Sequence, residues 1–149
     1  MKKAKWILTL ALGALVSCVT AQLATPDSDA AAKKFQPPEG KANLYVARSG
    51  SSFGETTFKV VVDGKTVGAV SPGTFVLVEL SPGTHNVAAA SVETSSKVSL
   101  NAEAGKNYFY EVTAKAGDYT ARPTLSVVLL EVMGKMMVQQ NKRSQSMDQ

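Results

Sequence analysis

The chain has one cysteine and one histidine in 149 residues. A single cysteine, Cys18, excludes an intramolecular disulfide. With His85 as the only histidine, a Cys/His metal cluster is excluded as well. Aromatic residues are scarce, at 7%, and charged residues modest, at 19%. The formal charge of +4 comes largely from Lys2, Lys3 and Lys5; without them, 13 of the 16 basic side chains remain against 12 acidic ones. A balance that close to neutral is no electrostatic footprint for nucleic acid. The N-terminal apolar run, Trp6 to Val16, falls short of the ~20 residues of a comfortable membrane span. There is no G-x-G-x-x-G loop opening a helix. His85 has no sequence neighbour that supplies a second ligand or an acid. No catalytic residue, metal or cofactor is therefore assigned.

What is present is a ladder of β signals. From Phe58 to His85 the chain reads FKVVVDGKTVGAVSPGTFVLVELSPGTH. Val60, Val61 and Val62 form a stiff β-branched run. Asp63-Gly64 turns the chain, with Gly64 expected at φ > 0 and Asp63 expected to bond its own backbone. Ser71-Pro72-Gly73 and Ser81-Pro82-Gly83 repeat the turn chemistry. The spacing predicts a three-stranded meander that needs more sheet to bury a core. His85 is expected to close the last turn with its ring.

The flanks supply that sheet. Lys41 to Arg48 alternates with Leu44 and Val46 on one face and Tyr45 and Ala47 on the other, so both faces are expected to be partly covered. Phe53, in the loop that follows, is expected to plug one end of the core. Lys97 to Glu103 alternates cleanly, with Val98, Leu100 and Ala102 inward. Tyr108 to Lys115 places Tyr108, Tyr110, Val112 and Ala114 together. Thr124 to Val132 reads as a central strand. Met133, Met136 and Met137 then fall at helical spacing, with Gly134 weakening the helix start. The sum is an all-β fold: a β-sandwich or partly closed barrel of about eight short antiparallel strands, with a short C-terminal helix.

The first 22 residues read MKKAKWILTLALGALVSCVTAQ. Charged positions precede an apolar run, as in a secretory signal helix. Leu15-Val16-Ser17-Cys18 then resembles the lipobox of bacterial lipoproteins. That resemblance implies cleavage before Cys18, acylation of its sulfur and its new amine, and attachment to the membrane through that N-terminal lipid. Val19 in place of Asp after the cysteine implies the outer membrane, if the organism has one. A competing cut after Ala21, at Val19-Thr20-Ala21, would discard the cysteine. The expected organisation is a signal peptide over 1–17, a flexible tether over 18–40, the β-domain over 41–138 and a disordered tail over 139–149. Pro26, Asp27, Ser28 and Asp29 are expected to oppose a helix start, leaving a turn or two between Ser28 and Lys34. Lys33 and Lys34 are expected to be solvated rather than to touch anionic lipid.

Several stretches in order resemble the bacterial domain-of-unknown-function family 2846. They are Gly40-Lys41-Ala42, Leu44-Tyr45-Val46, Val62-Asp63-Gly64-Lys65-Thr66-Val67-Gly68, Pro82-Gly83-Thr84-His85, Ala104 to Tyr110 and Ala121-Arg122-Pro123. The meander alone also resembles PEGA-type repeats of bacterial surface proteins. Neither family carries known catalytic residues. The expected function is a non-catalytic, lipid-anchored envelope protein facing the periplasm, binding or scaffolding an envelope protein or glycan, with no nucleic-acid partner. The alternatives are a soluble periplasmic or secreted β-module and a cell-envelope enzyme. The candidate contact surface is Arg122, in a loop stiffened by Pro123, with Tyr108 and Tyr110. The apolar neighbour Val112 favours a core role for the tyrosines, so Tyr110 is expected to be buried and Arg122 accessible.

Overall fold

The computed structural model describes residues 21–50 and 53–147. The expected signal segment and Cys18 lie outside the described residues. The elements run α1 (Pro26–Ala32), β1 (Ala42–Arg48), β2 (Phe58–Val62), β3 (Lys65–Val70), β4 (Thr74–Leu80) and β5 (Gly83–Ala90). They continue with β6 (Ser95–Ala102), β7 (Asn107–Lys115), β8 (Arg122–Val127), α2 (Glu131–Gln140) and β9 (Lys142–Arg143). Two sheets face each other, ordered β8-β7-β1-β4-β9 and β3-β2-β5-β6. The expected sandwich is present, and neither sheet closes into a barrel. It is not wholly antiparallel, because β1 runs parallel to β7 and β4 parallel to β9.

The expected meander is only partly formed. Asp63 and Gly64 both sit at positive φ, 49° and 82°, which makes the two-residue β2–β3 hairpin. At Ser71-Pro72-Gly73, however, the chain leaves the four-stranded sheet and enters the five-stranded one. Ser81-Pro82 brings it back, where β5 pairs with β2 and β6. Turn residues specify a reversal of direction but not which sheet receives the next strand.

Strand β1 is buried along its whole length. Leu44 and Val46 point into the space between the sheets, with Phe58, Val60, Val76, Val87, Tyr110 and Val112. Tyr45 and Ala47 point outward and are covered by the helices, with Phe75, Phe109, Met137 and Val138. Each large apolar side chain so buried contributes about 1.5–3 kcal/mol before entropy is counted. Partial cover of both faces is the expectation from the sequence, and the cover is complete.

The ends of the chain depart from the reading above. Pro26 starts α1 instead of opposing it: Pro occupies the first turn, where its missing N–H is not needed, and Thr25 Oγ1 accepts from Ser28 N. Tyr45 donates its hydroxyl to Ala32 O at 2.8 Å, and Asn107 Nδ2 donates to Phe35 O at 2.9 Å. Phe35, at φ 54°, lays its ring against Tyr45 and Phe109. The described part of the expected tether is therefore docked on the sheet. Lys33 pairs with Asp29 at 2.7 Å instead of standing alone in solvent.

The expected disordered tail is ordered through Met147. Ser144, buried, directs its hydroxyl at the carbonyl oxygens of Ala69 (2.9 Å) and Phe75 (3.1 Å), so one side chain ties the two sheets together. Met147 N donates to Val67 O, and Gln145 N to Gln22 O at 2.6 Å. The segment Gln22–Ala24 is thus zipped to the tail, which is zipped to β4. Backbone groups at a sheet edge take whichever strand reaches them, and polar composition gave no hint of this.

Two more expectations fail. Thr124 to Val132 is not one central strand: β8 ends at Val127 and lies at a sheet edge, and Leu129 and Leu130 stand in solvent. An apolar run alone does not separate a buried strand from an edge strand followed by a helix start. Phe53 is exposed, not a core plug. The expected C-terminal helix is present as α2, but of its three methionines only Met137 is buried.

Candidate binding groove

Strand β8 is shorter than β7. It pairs from Lys115↔Arg122 to Tyr110↔Val127, and Val128 N still donates to Phe109 O at 2.8 Å. The chain then turns away over the outer face, so Asn107 and Tyr108 extend past the end of β8. Opposite them run Ser99, Leu100 and Asn101 of β6. The gap is a groove of about 460 Å³, within the size range of sites for small ligands or a short segment of chain. Asn101 and Ser99 supply donors and acceptors, whereas the side-chain amide of Asn107 is engaged by Phe35 O and Asn43. Val127 and Leu129 form an apolar lip, and Glu131 stands at the mouth.

The tyrosines divide between two roles. Tyr110 is 2% exposed and belongs to the core, where burial raises its phenol pKa. It forms the groove floor. Tyr108 is half-buried, and its hydroxyl accepts from Glu103 N at 3.0 Å, which fixes the ring at the groove wall. Arg122 is elsewhere: it opens β8, opposite Lys115 at the far end of β7. The structure therefore does not bring Arg122 together with Tyr108 and Tyr110.

Arg122 is accessible, with 45% of its side chain exposed, but its charge is already engaged. Nε donates to Glu93 at 3.1 Å, and Nη2 pairs with Asp118. Glu93 also accepts from the backbone N–H groups of Thr120 and Tyr119. The Thr120 hydrogen bond leads in holding its carboxyl down to about 2, with burial opposing and Tyr119 and Arg122 assisting. This cluster closes the loop before β8 onto the β5–β6 turn. An Arg flanked by two carboxylates is a poor receptor for a further anion.

His85 is held from both sides. Nδ1 lies 2.6 Å from Asp63 Oδ2, and Nε2 lies 2.8 Å from Ser81 O. Both partners only accept, so satisfying both requires the doubly protonated ring. The Asp63 hydrogen bond leads in raising the His85 pKa, and the same contact leads in lowering that of Asp63. Asp63 spends its other oxygen on Asn86 N at 2.8 Å, not on its own turn. The pair clasps the β2–β3 hairpin to the start of β5 and leaves no free nitrogen for proton abstraction. Among the described residues, no three His, Cys, Asp or Glu side chains gather where a metal ion could be held.

Sequence reasoning missed Asn101, Asn107, Ser99 and the Leu129 lip. Their types were legible, but the groove exists only because β8 stops short, and no local signal marks that.

The fold and groove define a two-sheet β-domain with an apolar-lipped cleft. The chain belongs to the protein family of unknown function DUF2846, which matches residues 38–123. It is also 30% identical over 116 residues to an uncharacterized protein of Haemophilus influenzae, covering 76% of this chain and 68% of that one. The family match takes in β1 to β7 and the first residues of β8, and leaves α1, α2 and β9 outside it.

Proposed function

We propose that the chain is a bacterial envelope lipoprotein whose β-domain binds or scaffolds and performs no catalysis. The observation that carries this reading is the position of Cys18. The chain's one cysteine follows Leu15-Val16-Ser17 at the end of an apolar run preceded by Lys2, Lys3 and Lys5. Thioether-linked and amide-linked acyl chains together anchor firmly, since each buried CH₂ adds ~0.8 kcal/mol. The binding half of the reading rests on the groove, where Tyr108, Asn101 and Ser99 offer a ring face and hydrogen-bonding groups to a glycan or an extended peptide of the envelope. Val19 in place of Asp after the cysteine supports outer-membrane attachment in an organism that has an outer membrane, with the domain facing the periplasm as part of the same proposal.

A second reading, a soluble periplasmic or secreted module, is favoured by the Val19-Thr20-Ala21 cut. Labelled palmitate separates the two. Wild-type protein should incorporate it and sediment with membranes, whereas Cys18→Ala should lose the label and either become soluble or stay unprocessed. If Cys18→Ala is processed and partitions like wild type, the lipid reading fails.

A further inference from the structure

We propose that the helical layer on the outer face of the five-stranded sheet rests on an anionic phospholipid bilayer. The inference depends on acylation of Cys18. In that case the anchor is short. Gln22 is already bonded to Gln145, and the four residue steps from Cys18 to Gln22 span at most about 14 Å when fully extended. That is close to the radius of gyration of a 100-residue domain, about 13 Å. A domain held on so short a leash cannot stand clear of the membrane, so one face must lie against it.

The face is indicated by where the chain enters the fold. Gln22 to Ala24 runs beside Arg143 and the tail and leads directly into α1. At the end of α2, Asn141 adjoins β9. The lipid therefore attaches at the β9 edge of the five-stranded sheet, beside the start of α1, and β9 follows closely on the end of α2, a helix only about 15 Å long.

The surface of this layer suits a bilayer. Helix α2 buries Gly134, Met137 and Val138 against the sheet. Val132 (62% exposed), Met133 (52%) and Met136 (48%) are turned outward. Leu129 (89%) and Leu130 (66%) project just before the helix. Five large apolar side chains exposed within eight positions call for a partner. Charge agrees with chemistry. Residues 21–35 and 128–147 carry five basic side chains, Lys33, Lys34, Lys135, Lys142 and Arg143, against three acidic ones, Asp27, Asp29 and Glu131. Residues 36–127 carry eight of each sign. The helical segments are themselves balanced, three of each sign, and the surplus is Lys142 and Arg143 of β9, at the adjoining sheet edge where the chain enters the fold and anionic lipid would meet it.

The test uses the full chain, purified as the acylated protein, with an environment-sensitive fluorophore on Val132→Cys, Met136→Cys or, as a control on the opposite sheet, Lys97→Cys. Each is reconstituted into phosphatidylglycerol-containing vesicles and into purely zwitterionic ones, and acylation is read separately by mass. The Val132→Cys and Met136→Cys probes should shift to the blue and be quenched by brominated acyl chains, more strongly on the anionic vesicles. The Lys97→Cys probe should remain in water on both. An acylated protein whose Val132→Cys probe behaves like the Lys97→Cys probe would overturn the docking proposal and leave the anchor reading standing. Absence of the acyl mass would remove both. A blue shift in intact envelopes but not on protein-free vesicles would overturn the bilayer in favour of a protein partner.

Discussion

Gly134 sits one turn into α2, where a glycine ordinarily weakens a helix. Replacing it with alanine in an exposed helix should stabilise by up to about 1 kcal/mol. Here the expected sign is the opposite. A Cβ at position 134 would stand 2.6 Å from Phe109 Cβ and closer still to its ring. Carbon atoms settle at about 3.5–4.0 Å, so roughly 1 Å or more of displacement is required. Phe109 cannot provide it: the side chain is buried and its ring is stacked on Tyr45, with centroids 5.2 Å apart. The helix must move instead and loosen Met137 and Val138. Overpacking of this kind costs about 1–3 kcal/mol. Set against the propensity gain, Gly134→Ala should destabilise by roughly 1–2 kcal/mol, a fall in Tm of roughly 3–8 °C for a domain of this size. Thermal melting followed by circular dichroism, supported by urea titration, measures it. Phe109→Leu should offset part of the penalty in the double variant, which gives a coupling energy. A Tm raised by Gly134→Ala would refute the close approach of α2 to the sheet, and with it the outward aim of Val132 and Met136.

Tyr110→Ala should cost about 3–5 kcal/mol, as large-to-small aromatic changes in a core do, whereas Arg122→Ala should leave the melting temperature nearly unchanged; comparable losses for the two would contradict the split between core and surface. The His85–Asp63 clasp makes stability depend on pH. Because the folded pKa of His85 lies above its ordinary 6.5, the contribution of the clasp is complete below that value and is lost as pH rises through the raised one. Asp63, with its pKa lowered, stays ionised throughout this range and loses its share only in acid, below its ordinary 3.8. Melting temperature should therefore fall as pH rises above about 6.5, and His85→Gln should flatten that slope; a slope identical in wild type and variant would place its origin elsewhere.

The sequence by itself determined the local features. Alternation in Lys97–Glu103 and in Tyr108–Lys115 set which side chains face inward, because side chains on a strand change face at every residue. Asp63-Gly64 set a hairpin, because only a turn with φ > 0 matches the twist of its strands. The same rule put Tyr110 in the core beside Val112. Tertiary structure alone decided what depends on partners distant in the chain. Ser71-Pro72-Gly73 reads as a hairpin turn whether the next strand stays in its sheet or crosses to the other. His85 finds Asp63 22 positions away. Ser144 bonds Ala69 and Phe75, 75 and 69 positions away. The groove arises because β8 ends three residues short of the start of β7, counted through the pair Tyr110↔Val127. Residue types and spacing record local backbone preference, whereas these contacts are set by how two sheets and a helical layer close over one another.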